Sequence, residues 1–216
     1  MKNIEEIHKS LISFKLPRWK DLPDFDIYMD QVIFYINQEL SPLFFEEKVI
    51  TSNMVNNYVK NSIVKPPIKK HYKRYHLAFL IVVCILKRCY SLAEISKLIE
   101  IQNEMEHSDL EKAYDAFSIC FEECLHATFA DGDDKNLQYN ASNWQKQLLY
   151  NVVRSIVYKL YAEVYLLDKN FSILCRRKHI LHYTQRVLKV PIFIILVYTQ
   201  LYTLKFFLMN KDIKMI

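Results

Sequence analysis

A single glycine in 216 residues, Gly132, narrows the folds open to this chain more than any other feature. Glycine supplies the positive-φ turns and close backbone approaches on which P-loops, doubly wound dinucleotide folds and glycine-rich β-meanders rely. Helices joined by polar turns tolerate its absence best, so the expected fold class is all-α. Hydrophobic residues are 51% of the chain and charged residues 25%, a balance that fills a core and excludes a disordered polyampholyte. The five cysteines, Cys84, Cys89, Cys120, Cys124 and Cys175, are odd in number and mostly lie in apolar helical patterns. They read as reduced core thiols, not a disulfide framework. The N-terminus has no apolar signal segment, which makes a cytoplasmic location the expectation.

Capping boxes, in which a side-chain oxygen and a Glu or Gln three residues later satisfy free helix amides, mark helix starts at Asn3, Ser91, Ser108 and Ser142. The apolar spacing behind them is helical: Leu92, Ile95, Leu98 and Ile99; then Tyr114, Phe117, Phe121 and Leu125; then Leu148, Val152, Ile156, Leu160 and Val164. Residues 26–40 form a further amphipathic helix expected to stop near Pro42, and residues 17–24 an extended linker in which Trp19 pins the chain to the core. LAFLIVVCIL, residues 77–86, is apolar throughout; its flanks favour a helix packed on all sides over a buried strand.

Charge divides the chain sharply. Residues 48–88 hold nine Lys and Arg and no Asp or Glu, whereas residues 94–134 hold twelve Asp and Glu against Lys97 and Lys112. Within the acid-free stretch, Thr51 or Ser52 caps a short helix running to Lys60. Val55, Tyr58 and Val59 face inward, and Ser52, Asn53, Asn56, Asn57 and Lys60 remain outside. An exposed Asn amide pairs in two places with adenine in the major groove, and Lys reaches guanine or phosphate. After Pro66 and Pro67 comes a basic loop or small wing, Lys69, Lys70, His71, Tyr72, Lys73 and Arg74, suited to phosphate contacts that give affinity and register. A charge run is more often only a solvated face; the adjoining Asn-rich helix tips the reading toward double-stranded DNA as the partner. The acidic helices at 94–134 are expected to be a scaffold or dimer surface, with electrostatic contact to the basic stretch, within the chain or in a partner, as a further hypothesis.

The pieces NMVNNYV, SIVKPP, HYKRYH and CYSLAEI resemble the MerR-type winged helix-turn-helix. Ser62 and Cys89 stand where that pattern has glycine, and Asn56 where it commonly has arginine. More closely, the arrangement from LPDFDIYMDQV to CILKR resembles the bacterial DUF1836 family over roughly residues 15–170, a family named for lacking a known function. The MerR resemblance implies a helical bundle with an embedded winged helix-turn-helix, sequence-specific DNA binding in transcriptional control, and a homodimer matched to twofold sites.

The expected organisation is an N-terminal helix and linker (1–25), the helix-turn-helix-like DNA-binding region (26–100), a helical scaffold or dimerisation region (101–170) and a basic, apolar tail (171–216). No catalytic, cofactor or metal site is expected. Cys120 and Cys124 share a helix face without a strong metal signature, Glu122 and Glu123 point apart, and ADGDDKN lacks the later ligands of a calcium loop. His107, His179 and His182 have no nucleophile at a diagnostic spacing. The alternative function is a non-enzymatic helical interaction or scaffold protein. A membrane contact through residues 190–209 is a weaker reading, since Thr199, Gln200, Thr203 and Lys205 interrupt the run.

Overall fold

A computed structural model describes residues 4–45, 48–104, 109–131 and 144–166. The chain divides into two units, Met1–Asp168 and Lys169–Ile216, and every described residue belongs to the first. The described elements are α1 (Ile4–Ile12), a 3₁₀ turn (Trp19–Asp21), α2 (Met29–Phe44), α3 (Ser52–Lys60), α4 (Arg74–Leu86), α5 (Leu92–Asn103), α6 (Leu110–His126), a π-helical turn (Ala127–Asp131) and α7 (Trp144–Leu166). The all-α expectation holds.

The caps place several helices as the spacing predicts. Ser91 accepts from the Glu94 N–H while the Glu94 carboxylate accepts from the Ser91 N–H at 2.7 Å, a complete capping box that starts α5. Thr51 Oγ1 accepts from the Met54 N–H at 3.4 Å and starts α3. α6 is capped by Asp109, whose carboxylate accepts from the Glu111 N–H at 3.0 Å. The predicted caps Asn3, Ser108 and Ser142 lie outside the described residues, as do 132–143, His107, Cys175, His179, His182 and the tail.

Pro42 does not end α2, which runs on to Phe44. A proline in a helix lacks the N–H that would bond the carbonyl four residues earlier. Here Ser41 Oγ donates to that carbonyl, Gln38 O, at 3.0 Å, so the break is locally repaired. α3 closes in a Schellman arrangement: the Ile63 N–H bonds Tyr58 O at 2.9 Å and the Ser62 N–H bonds Val59 O at 3.0 Å. Ser62 takes the left-handed position with φ 58°, where glycine is usual.

α4 is the heart of the core. Its buried residues include Leu77, Leu80, Ile81, Val83 and Ile85, in keeping with a helix surrounded on most sides. Burying each large aliphatic side chain stabilises by about 1.5–3 kcal/mol, which outweighs the weak helix preference of its Val and Ile. α6 packs along α7 and also meets α1 and α4; α2 packs on α4, α1 and α3. Trp19 lies edge-on to Tyr114 at 6.3 Å, as the linker reading expects. Residues 13–22 are not a plain linker, however. Arg18 Nη1 and Nη2 donate to Glu122 at 2.7 and 2.8 Å, the Leu16 N–H to Glu122 at 2.9 Å, and the Trp19 N–H to Asp115 at 2.8 Å.

The winged helix-turn-helix expected over 26–100 is overturned. Among the described residues there is no β-strand, only two isolated bridges, Ile27 with Tyr72 and Ile68 with His71. A wing needs a paired ribbon. This segment instead makes one tight turn, with Lys69 and Lys70 both left-handed at φ 50° and 70°, and Arg74 already starts α4.

Candidate functional site

The residues predicted to read DNA separate into different environments. Ser52, Asn53, Asn56, Asn57 and Lys60 are exposed on α3, with the Asn57 side-chain oxygen accepting from Asn61 at 3.0 Å. Lys69, Lys70 and Lys73 are exposed at and after the turn. Tyr72 is a core residue, and burial raises its hydroxyl pKa. His71 is half-buried with its ring 4.6 Å from that of Tyr28. Arg74 bonds Leu22 O at 3.1 Å and lies 3.7 Å from the Asp24 carboxylate.

The bridge between Ile27 and Tyr72 has a wider consequence, because it carries Asp24 and Asp26 up to the basic stretch. A run that is acid-free along the chain is therefore not acid-free in space. Glu122 holds Lys15 and Arg18, and Arg88 pairs with Glu163 of α7 while its guanidinium lies 4.7 Å over the Phe44 ring. With no wing, a buried Tyr72 and Arg74 held internally, the assignment as a MerR-like duplex-DNA reader in transcriptional control is corrected.

His76 is wholly buried behind this turn. Its Nδ1 accepts from the Lys73 N–H at 2.8 Å, leaving Nε2 to donate to Pro66 O at 3.3 Å. Burial lowers its pKa, with Lys73 and Lys65 adding to the effect and the Pro66 bond and Asp26 opposing it. The ring is thus a neutral structural strut for the X-Pro-Pro connection. The thiols follow the core reading in part: Cys84 and Cys124 are buried, Cys120 is half-buried, and Cys89 is exposed. Burial pushes the Cys84 thiol up to about 12, which leaves it inert. Among the described residues no group of three or more His, Cys, Asp or Glu could hold a metal ion.

α4 also borders a concave feature. A groove with a cavity of about 160 Å³ runs between α4, α5, α6 and α7. Phe79 and Val82 of α4, Leu98 and Ile101 of α5, Leu110 and Ala113 of α6, and Leu148 and Leu149 of α7 line it. Polar groups, Gln102, Asn103, Asp109 and Gln145, are few. The groove exists because α5 is incompletely seated: of its residues only Ile95 is buried, while Leu92, Leu98, Ile99 and Ile101 are half-buried. The sequence spacing marked Leu92, Ile95, Leu98 and Ile99 as a packing stripe but said nothing of how deeply they pack. The one available signal was Ile101, an apolar residue beyond that stripe.

Residues 17–117 match a family model described as a domain of unknown function, DUF1836. Over this segment the chain is similar to the DUF1836 family. The segment runs from the 3₁₀ turn to the middle of α6, so it contains α2 to α5 and the α4, α5 and α6 walls of the groove. The fourth wall, α7, and Glu122, which accepts the Arg18 hydrogen bonds, lie beyond the matched DUF1836 segment. No curated protein and no solved structure matches the chain. No helix among the described residues is long and apolar enough to cross a membrane, and the expected contact at 190–209 lies outside them.

Proposed function

We propose that the DUF1836-like unit is a non-enzymatic helical interaction module that receives a partner's apolar side chains in the groove between α4, α5, α6 and α7. The observation that carries this reading is the groove itself: four helices supply aliphatic and aromatic side chains to a shared concavity of about 160 Å³. An apolar cavity near 150 Å³ accepts a ring the size of benzene, so this one accommodates a large apolar side chain. Helix-in-groove recognition works in this way, with a few anchors of one helix entering an apolar trough.

Chemical-shift changes in methyl-labelled full-length chain, titrated with a leucine-rich amphipathic helical peptide, test the reading. Shifts are expected at Val82, Leu98, Leu148 and Leu149, and they should vanish in Ala113→Trp, which fills the trough. Shifts confined to the α3 face, or unchanged in that variant, overturn the reading.

A further inference from the structure

We propose that the turn after Pro66 and Pro67 docks the protein on an anionic phospholipid surface. Ile68 and Tyr28 enter the headgroup layer, and Lys69 and Lys70 meet the lipid phosphates. This contact is independent of the groove. Ile68 and His71 exchange both backbone hydrogen bonds, at 3.0 and 2.9 Å, so Lys69 and Lys70 form the tip of a tight turn. The Tyr28 ring lies 4.6 Å from that of His71, which sets Tyr28 beside the turn. Ile68 is 49% exposed and Tyr28 57% exposed, and both lysines are exposed. Among the described residues neither lysine is held in an ion pair.

The base of the turn is fixed by the pairing of Ile27 with Tyr72 and by the His76 bond to Pro66 O, so the tip needs little ordering when it binds. Both tip residues are left-handed, at φ 50° and 70°, as in a type I′ turn, where a Cβ is disfavoured and Asn-Gly is the usual pair. Local backbone preference does not explain two lysines there; a contact made by their side chains does.

Three features favour a lipid surface over other polyanions. A turn tip is convex, and a fluid headgroup layer closes around a projecting side chain where a folded partner must supply a matching hollow. Ile68 has no π-face for a base to stack on, and the Tyr28 ring is already engaged with His71. Residues 65–74 hold five Lys and Arg and no carboxylate, while Asp24, Asp26 and Asp30 stand on the adjoining stretch. The cation excess is modest, so charge and apolar insertion must act together, as reversible anchoring at a membrane surface requires.

Sedimentation of the full-length chain with phosphatidylcholine vesicles, with and without phosphatidylserine, tests the proposal. Binding is expected to require phosphatidylserine and to weaken as salt rises. Lys69→Asn combined with Lys70→Gly removes both charges while giving the turn its preferred pair, and should weaken binding roughly ten-fold or more. That pair of changes should leave the urea unfolding midpoint unchanged or raised, so lost binding does not come from a misfolded chain. Ile68→Ser should weaken binding about five-fold, because only part of the side chain is withdrawn from water at the headgroups.

Binding undiminished in both variants would place the lipid contact elsewhere in the chain and overturn the proposal. Equal binding to the two vesicle types, or none to either, would overturn it too. Polyuridylate or polyglutamate bound more tightly than vesicles, and lost in the same variants, would assign the tip to a nucleic acid or an acidic protein and likewise overturn it.

Discussion

The two sides of α6 show opposite ways of meeting a neighbour. On one side, Glu122 and Asp115 hold residues 15–19 through hydrogen bonds of 2.7–3.0 Å, and Phe121 is fully buried beside Phe14 at 6.4 Å. On the other, Leu110 and Ala113 line the groove together with residues of α5, a helix that buries a single residue. One side is closed by partnered charge over a packed ring pair, the other left as an apolar trough. A helix face that is fully satisfied serves stability, whereas one left concave and greasy is where binding energy remains to be gained.

The sharpest way to break this contrast is to remove matched apolar bulk from each side. Phe121→Ala should destabilise the chain by about 3–5 kcal/mol, and Ile99→Ala, at a half-buried site, by about 1 kcal/mol or less, as measured by urea denaturation. Similar losses would mean that α5 is seated as firmly as the clamp side. Next in size, Glu122→Ala should cost about 2–3 kcal/mol, because it leaves Arg18 and the Leu16 N–H without their acceptor; Glu122→Gln should cost less.

The clamp also predicts an acid limb. Burial raises the Glu122 pKa, but hydrogen bonds from Arg18, Lys15 and the Leu16 N–H, together with the Arg18 charge, outweigh burial and leave it below 4.5. Its contribution is therefore present above 4.5 and lost as pH falls through the lowered value. His76 acts earlier on the same limb. Its pKa is lowered from 6.5, so the unfolded chain takes up the proton first and stability declines as pH drops below 6.5. Equilibrium unfolding across pH 3–7 should show both phases, and Glu122→Gln should flatten only the lower one. An unaltered acid limb in that variant would show that Glu122 contributes little to it.

Two smaller effects sharpen the picture. Amides of α5 should exchange with solvent faster than those of α4 and α6, since local opening is easiest where few apolar contacts are buried; equal protection would contradict the loose seating. Ser62→Gly should stabilise by about 1 kcal/mol, because Ser62 holds a left-handed conformation that a Cβ disfavours.

Much of the helical framework was legible from residues: Thr51 and Ser91 cap as their types suggest, and the uninterrupted apolar run at 77–86 is the central helix. The end of α2 was misread because Pro42 signals a stop only when its missing bond is not replaced, and Ser41 replaces that bond to Gln38. The clamp went unseen because Glu122 and Arg18 are 104 residues apart in the chain. Reading along the backbone finds carboxylates that are neighbours in sequence, not those that meet a guanidinium through folding.

By itself, the sequence determined that this chain is helical, since near-absence of glycine and 3.6-residue apolar spacing act locally and leave few other options. The tertiary structure alone decided which surfaces are neutralised and which stay open. Charges and apolar faces compensate one another through space: pairing of Ile27 with Tyr72 brings Asp24 to Arg74, and the shallow seating of α5 leaves a trough beside α4.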